Sequence, residues 1–217
     1  MRSSLTTAAL VAAFSLPLAA QEHANDPDHA AQGGGAVPAG WTVRADKGDA
    51  SGAKIQTMGN GLHLTTGPAV ILYRADTDGK GPFHTLATFT QTKPSQHAEG
   101  YGLFVGGRNL GGAAQQYLYF LVRQDGRYLI KRREGEKTSD VSKGWAPSDA
   151  VKQPDAKGTA TNLLEVDNKR DPSRVAFLVN GKEVYATDAA GMALDGIVGI
   201  RQNHNLDVHI EGFDVHR

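Results

Sequence analysis

Short runs of strand-favouring residues succeed one another from Gly61 to the end of the chain, with no convincing helical stripe between them. They read "GLHLTTG", "AVILYRAD", "FHTLATFTQT", "YGLFVGG", "QYLYFLVRQDGRYLIKRR", "NLLEVDN", "RVAFLVNGKEVYAT", "GIVGIRQ" and "LDVHIEGFDVH", punctuated by Gly, Pro, Asn and Asp. The one helix-like stretch, "SDAVKQPDA", is interrupted by Pro154. Strands this close together, with no helices to cross between them, pair antiparallel and pack as a sandwich or barrel. Alternation decides between the two. Leu118, Phe120 and Val122 share one face, as do Leu164 with Val166, and Leu206 with Val208 and Ile210. Each strand thus offers a single apolar face to a common interior, which two packed sheets provide. The expectation is all-β, a two-sheet antiparallel jelly-roll sandwich. Gly212 breaks the parity of the last strand, and a bulge there returns Phe213 and Val215 to the core. Asn180-Gly181 marks a hairpin that sets Phe177 opposite Val184 and Val175 opposite Ala186.

The hairpin at 116–133 carries the most about function. Asp125-Gly126 favours a two-residue turn, pairing 123 with 128, 121 with 130 and 119 with 132. With Leu118, Phe120 and Val122 inward and Leu129 joining them, the outer face gathers Tyr117, Tyr119, Leu121, Arg123, Tyr128, Ile130 and Arg132. That surface is more aromatic and apolar than solubility needs. Flat rings suit the C–H faces of sugars, and guanidinium forks suit hydroxyls and carboxylates, so a bound oligosaccharide or polysaccharide is one reading. The others are a loop, such as 136–160, folded over the face as a secondary core, or a protein contact. Trp145, in the loop "SKGWAPSD", is read first as a plug at one end of the sandwich and otherwise as a sugar platform. Trp41 is read as core. Arg201, Asn203 and His204, in "RQNHN", either rim a sugar site or satisfy the turn's backbone.

The N-terminus bears on where the chain works. Arg2, the apolar run "LTTAALVAAFSLPLAA" and Ala19-Ala20 have the layout of a secretory signal peptide over 1–20, cleaved near Ala20. Residues 21–40 are a Gly/Ala/Pro-rich lead-in, expected to be flexible, and 41–217 form one β-sandwich domain. His23, Asp26, Asp28 and His29 of the lead-in are read as a solvated tail rather than a metal site. A periplasmic or secreted bacterial protein is expected. The chain has no cysteine, which removes thiolate metal sites and lipoprotein anchoring. Its 23 basic and 23 acidic residues give no net charge with which to hold a nucleic acid or a membrane surface, and none is expected as a partner.

Candidates for catalysis are sparse. Glu165 and Asp167 share one strand face in "LLEVDNK", which resembles the Glu-x-Asp-x-Glu strand of laminarinase-like jelly-roll enzymes in its first two acids only. Lys169 occupies the position of the second glutamate, the acid/base of that mechanism. Asp207, His209 and Glu211 lie on one face of the last strand. Three such positions span ~13 Å, too far to share one ion, and a solvated face is the simpler reading. If the chain is an enzyme, Glu165, Asp167, His204 and Asp207 are the residues to examine. The glycines of "VGGRNLGG" do not follow a dinucleotide pattern, and no zinc motif or nucleophile–base arrangement is present. No cofactor is expected, and a structural calcium bridging a loop is left open.

"YGLFVGG", "YLYFLVRQDGRYLIKRREG", "VAFLVNGKEVY" and "GIVGIRQNHNLDVHIEGF" together resemble, in order and spacing, the concanavalin-A-like and laminin-G-like jelly rolls. The nearest group is the bacterial exported domain DUF1080, or 3-keto-disaccharide hydrolase domain. The likeness covers most of 41–217. It implies the sandwich fold and, through the group's name, cleavage of oxidised disaccharides, while no catalytic residue of that group maps onto a matching motif here. The expectation is an exported, carbohydrate-associated domain that binds a glycan on the Tyr/Arg face. A glycoside or 3-keto-disaccharide hydrolase and a non-catalytic protein-interaction domain are the alternatives.

Overall fold

The computed structural model describes Ala31 and residues 36–217. The expected signal peptide and the His23, Asp26, Asp28 and His29 group lie outside the described residues, as does most of the lead-in. Fifteen strands and no helix are formed among the described residues. In chain order they are β1 (Trp41–Ala45), β2 (Ala53–Met58), β3 (Gly61–Thr66), β4 (Val70–Asp78), β5 (His84–Gln91), β6 (Gly100–Arg108), β7 (Gln116–Arg123) and β8 (Arg127–Glu134). The remainder are β9 (Lys137–Asp140), β10 (Ala146–Pro147), β11 (Ala160–Asp167), β12 (Arg174–Val179), β13 (Lys182–Asp188), β14 (Ile197–Gln202) and β15 (Leu206–His216).

They make two antiparallel sheets. Sheet A runs β1-β4-β14-β6-β7-β8-β10, with β9 also paired to β8. Sheet B runs β13-β12-β11-β5-β15-β3-β2. Between them lies a core that includes Leu72, Leu103, Phe120, Val122 and Ile130 from sheet A, and Leu64, Phe89, Leu164, Phe177 and Val208 from sheet B. Phe120 joins the layers directly, its ring edge-on to Phe177 of the facing sheet at 5.4 Å between centroids. Each such side chain contributes about 1.5–3 kcal/mol by leaving water, so the alternating pattern accounts for the sandwich. Buried polar groups also cross the core, one set of them around Asn162. Asn162 donates to the Tyr101 hydroxyl and accepts from Lys152 N and from Asn180. Burial pushes the Tyr101 phenol up to about 12.

Two turns test the expected registers. At Asn180-Gly181, both residues have positive φ, as a two-residue hairpin requires, and Val179 pairs with Lys182. A bulge beyond Leu178 then moves Phe177 opposite Tyr185 and Val175 opposite Thr187, one residue from the expected partners. The expected bulge in β15 is present: Gly212 has φ +61°, register shifts between Glu211 and Asp214, and Phe213 and Val215 pack against the core.

The β7–β8 hairpin departs from expectation by one position. Arg123 pairs with Arg127, Val122 with Tyr128 and Phe120 with Ile130, so the loop has three residues, Gln124 to Gly126. Gly126, at φ +80°, donates its N–H to Arg123 O, which closes a turn followed by a left-handed residue, the usual three-residue hairpin connection. The slip turns β8 over. Tyr128 and Ile130 belong to the sandwich core, and Leu129 to the opposite side. The residues expected outward on β7 do point outward. Tyr117 and Tyr119 are nevertheless buried, at 2% and 6% exposure.

Candidate functional site

The outer face of sheet A, turned away from the sandwich core, carries a second cluster: Ile71, Phe104, Leu110, Tyr117, Tyr119, Leu121 and Leu129, flanked by Tyr73, Trp145 and Ile197. The cluster arises because alternate positions of β4, β6, β7 and β8 are apolar or aromatic on both faces, which leaves the outer face to pack on itself. Phe104, Tyr117 and Tyr119 form a chain of tilted rings 5.2 and 5.8 Å apart. Trp145 is not an end plug. It folds from the loop before β10 onto this face, with the Arg123 guanidinium over its ring at 4.5 Å. Gly100 makes that approach feasible, since a Cβ there would stand 2.7 Å from the indole. The 136–160 segment therefore covers part of the hairpin face through Trp145 and lengthens sheet A through β9 and β10.

Set against these rings is an ionic cluster. Arg201, on β14 and 5% exposed, donates through Nη1 to Asp46 Oδ1 at 3.0 Å and through Nη2 to Oδ2 at 2.7 Å. Its Nη1 also donates to the Tyr117 hydroxyl at 2.9 Å, and its guanidinium lies over the Tyr119 ring at 4.9 Å. Arg133, brought outward by the register of β8, donates to Asp46 Oδ2 at 2.9 Å. Burial opposes charge on Asp46, but the two guanidiniums override it and hold the carboxyl below its ordinary value. Burial likewise opposes the Arg201 charge, and Tyr117 and Asp46 outweigh it, so the guanidinium stays protonated. Burial raises both Tyr117 and Tyr119, partly offset by Arg201, and both remain neutral phenols. No hydrogen bond holds the Tyr119 hydroxyl among the described residues.

Where β6, β7 and β8 end near Tyr117, a hollow of about 170 Å³ opens against the 191–193 loop. Arg108, Arg132, Arg133 and Glu134 line it. Arg132 reaches it from the other side of the strand than expected, because the register places it opposite Leu118, and its Nη2 donates to Gly191 O at 2.9 Å.

The sequence-derived candidates thus separate. Tyr117, Tyr119, Arg123, Trp145 and Arg201 share the outer face of sheet A, with Tyr117 and Tyr119 as its buried floor rather than exposed stacking platforms. Tyr128 is a core residue and leaves the site. Asn203 and His204 follow β14 and both engage Glu99, Asn203 Nδ2 at 3.1 Å and His204 Nε2 at 3.0 Å. Glu165 pairs with His84 at 3.0 Å, and Asp167 Oδ1 accepts from the backbone N–H groups of Lys169 and Arg170. Asp207 engages His63, Lys93, Thr65 and Thr92. Burial works to raise its carboxyl, and the Thr92 and Lys93 hydrogen bonds with the His63 charge bring it below the ordinary range. Glu165, Asp167 and Asp207 are thus each held by separate partners, and His204 lies with Glu99, so the structure does not assemble the four into one carboxylate site. No group of three or more His, Asp or Glu side chains there is arranged to hold a metal ion.

Asp46, Glu99 and Arg133 were missed by sequence reasoning. Asp46 meets Arg201 from 155 positions away, and no local pattern marks it. Arg133 was recoverable from the correct hairpin register alone.

No family model and no curated protein matches the chain. Solved structures do. The carbohydrate-binding module CBM66 from Bacillus subtilis superposes with a TM-score of 0.59 at 11% identity, over 82% of this chain and 96% of that one. A Bacillus subtilis protein of unknown function with a galectin-like fold gives 0.54 at 14% identity, over 81% and 88%. The carbohydrate recognition domain of Emp46p in its metal-free form gives 0.53 at 13% identity, over 82% and 88%. These likenesses establish the fold as that of the galectin-like jelly rolls, consistent with a concanavalin-A-like sandwich.

Proposed function

We propose that this chain is an exported carbohydrate-binding β-sandwich that holds a glycan on the outer face of sheet A. The observation that carries the reading is the Arg201–Asp46–Arg133 cluster with Tyr117, a hydrogen-bonding constellation of charged and aromatic groups on the outer face of a sheet. The Tyr119 hydroxyl, which makes no hydrogen bond among the described residues, the half-buried Trp145 and the Arg123 guanidinium add the donors and the flat apolar surface that sugar rings use. The proteins of like fold whose names record carbohydrate binding support the same reading.

Calorimetry on glycans selected by array binding tests it, with Tyr119→Phe and Trp145→Ala variants. Tyr119→Phe removes only a hydroxyl and leaves the packing intact. A several-fold loss of affinity in both variants is expected; affinity unchanged in both removes the assigned face.

A second reading, a glycoside or 3-keto-disaccharide hydrolase, draws on the buried Glu99 beside His204. A carboxylate that orients an imidazole is the arrangement of a general base. Turnover of native and 3-keto disaccharides, lost in His204→Gln, would establish it.

A further inference from the structure

The hollow at the end of the outer face is cationic beyond what its neighbours neutralise. Of Arg108, Arg132 and Arg133, only Arg133 meets a carboxylate among the described residues, Asp46, which it shares with Arg201. Arg108 donates to Asp195 O, and Arg132 to Gly191 O and the Met192 sulfur, which satisfy donors without cancelling charge. Glu134 is the one acid of the lining. A donor of the lining is also left over: Arg132 Nε is buried without a partner among the described residues. A buried N–H with no acceptor is costly, and more so when it belongs to a charged group. Three guanidiniums in a lining with one acid, and the unpartnered Arg132 Nε, thus leave both positive charge and a hydrogen-bond donor for an anion to complete.

We infer that this hollow takes the anionic group of an acidic glycan, a uronate carboxylate or a sulfate ester, with Arg132 and Arg108 as its ligands and Arg133 behind them. The inference rests on the glycan-binding reading above. At about 170 Å³ the hollow falls below the roughly 300 Å³ at which drug-sized ligand pockets begin, so it accommodates one charged residue of a chain whose neighbours extend along the outer face.

The full chain is titrated calorimetrically with trimeric galacturonate, glucuronate and mannuronate, their methyl esters, and 6-sulfated and unsulfated galactose trimers. At least one acidic member is expected to bind ten-fold or more tightly than its uncharged counterpart, with affinity falling as salt is raised. Preference for the uronates identifies carboxylate as the recognised group, and preference for the sulfated trimer identifies sulfate. Arg132→Gln removes the preference, while Arg132→Lys, which keeps the charge, retains part of it. Arg108, being exposed, gives a second variant, Arg108→Gln, that leaves the fold intact and lowers the preference several-fold. Equal affinity for charged and uncharged partners overturns the inference and leaves glycan binding standing. Binding to none of these, with an array of neutral and acidic glycans also negative, overturns both.

Discussion

Replacing Asp46 with alanine removes the carboxylate that Arg201 and Arg133 share. Three charge-assisted hydrogen bonds go with it, at 3.0, 2.7 and 2.9 Å. Summing them would overstate the loss, because the three share two oxygens. The better measure is the penalty for leaving one member of a buried pair uncompensated, about 3–5 kcal/mol. The Asp46 side chain is 19% exposed, so water reaches part of the freed guanidinium edge, and Arg201 keeps Tyr117. The low end, about 3 kcal/mol, is therefore expected. For a chain of this length that corresponds to a fall in Tm of about 6–12 °C. Urea unfolding followed by tryptophan fluorescence measures it. The double variant Asp46→Ala/Arg201→Met separates mechanism from mere damage, since it removes the more deeply buried of the two orphaned charges, leaving Arg133 alone. It should recover about half of the loss or more. A single-variant cost below about 1 kcal/mol, or a double variant no better than the single, would refute the account of Arg201 as a buried charge held by Asp46.

Acid should expose the same interaction from the other side. The Asp46 and Asp207 carboxyls are both depressed in the folded chain, so their contribution is fully present above the unfolded carboxylate pKa of about 3.9 and is lost as pH falls through the lower folded values. Stability measured from pH 7 to 2 should stay level in these contributions down to about pH 4 and then decline, less steeply in Asp46→Asn. Tyr128→Ala should cost about 3–4 kcal/mol in urea unfolding, because the ring is core, yet leave glycan affinity unchanged; reduced affinity at full stability would restore the two-residue register. Gly100→Ala should displace the indole that approaches it and shift Trp145 emission in a Trp41→Phe background, at about 1 kcal/mol; unaltered emission would remove Trp145 from the face.

The sandwich was legible because it depends on alternation and turn chemistry, which are local. Leu118, Phe120 and Val122 face the core as their spacing requires, and Gly212 bulges where the parity of β15 breaks. The β8 register was not legible for a local reason of its own. Gly126 in the left-handed region serves a two-residue and a three-residue loop equally well, and runs with apolar residues on both faces cannot choose between them. One slipped position exchanged Tyr128, Ile130 and Arg132 for Leu129, Lys131 and Arg133 on the outer face. Burial of Tyr117 and Tyr119 was hidden for a different reason. It depends on side chains from β4, β6 and the Trp145 loop meeting over β7, and on Asp46, which approaches from the far edge of sheet A.

The outer face of sheet A as the place where a glycan binds is tested most directly by the two indole N–H signals of the chain, which contains only two tryptophans. Trp145 lies on that face beside Arg123, whereas Trp41 lies at the β1 edge against Phe213. In a titration of the labelled protein with a glycan that binds, the Trp145 indole signal and the Arg123 Nε–H signal should move together while Trp41 stays still. Saturable shifts at Trp41, or at His63 and His209 on sheet B, with Trp145 unmoved, would place the ligand elsewhere and contradict the account.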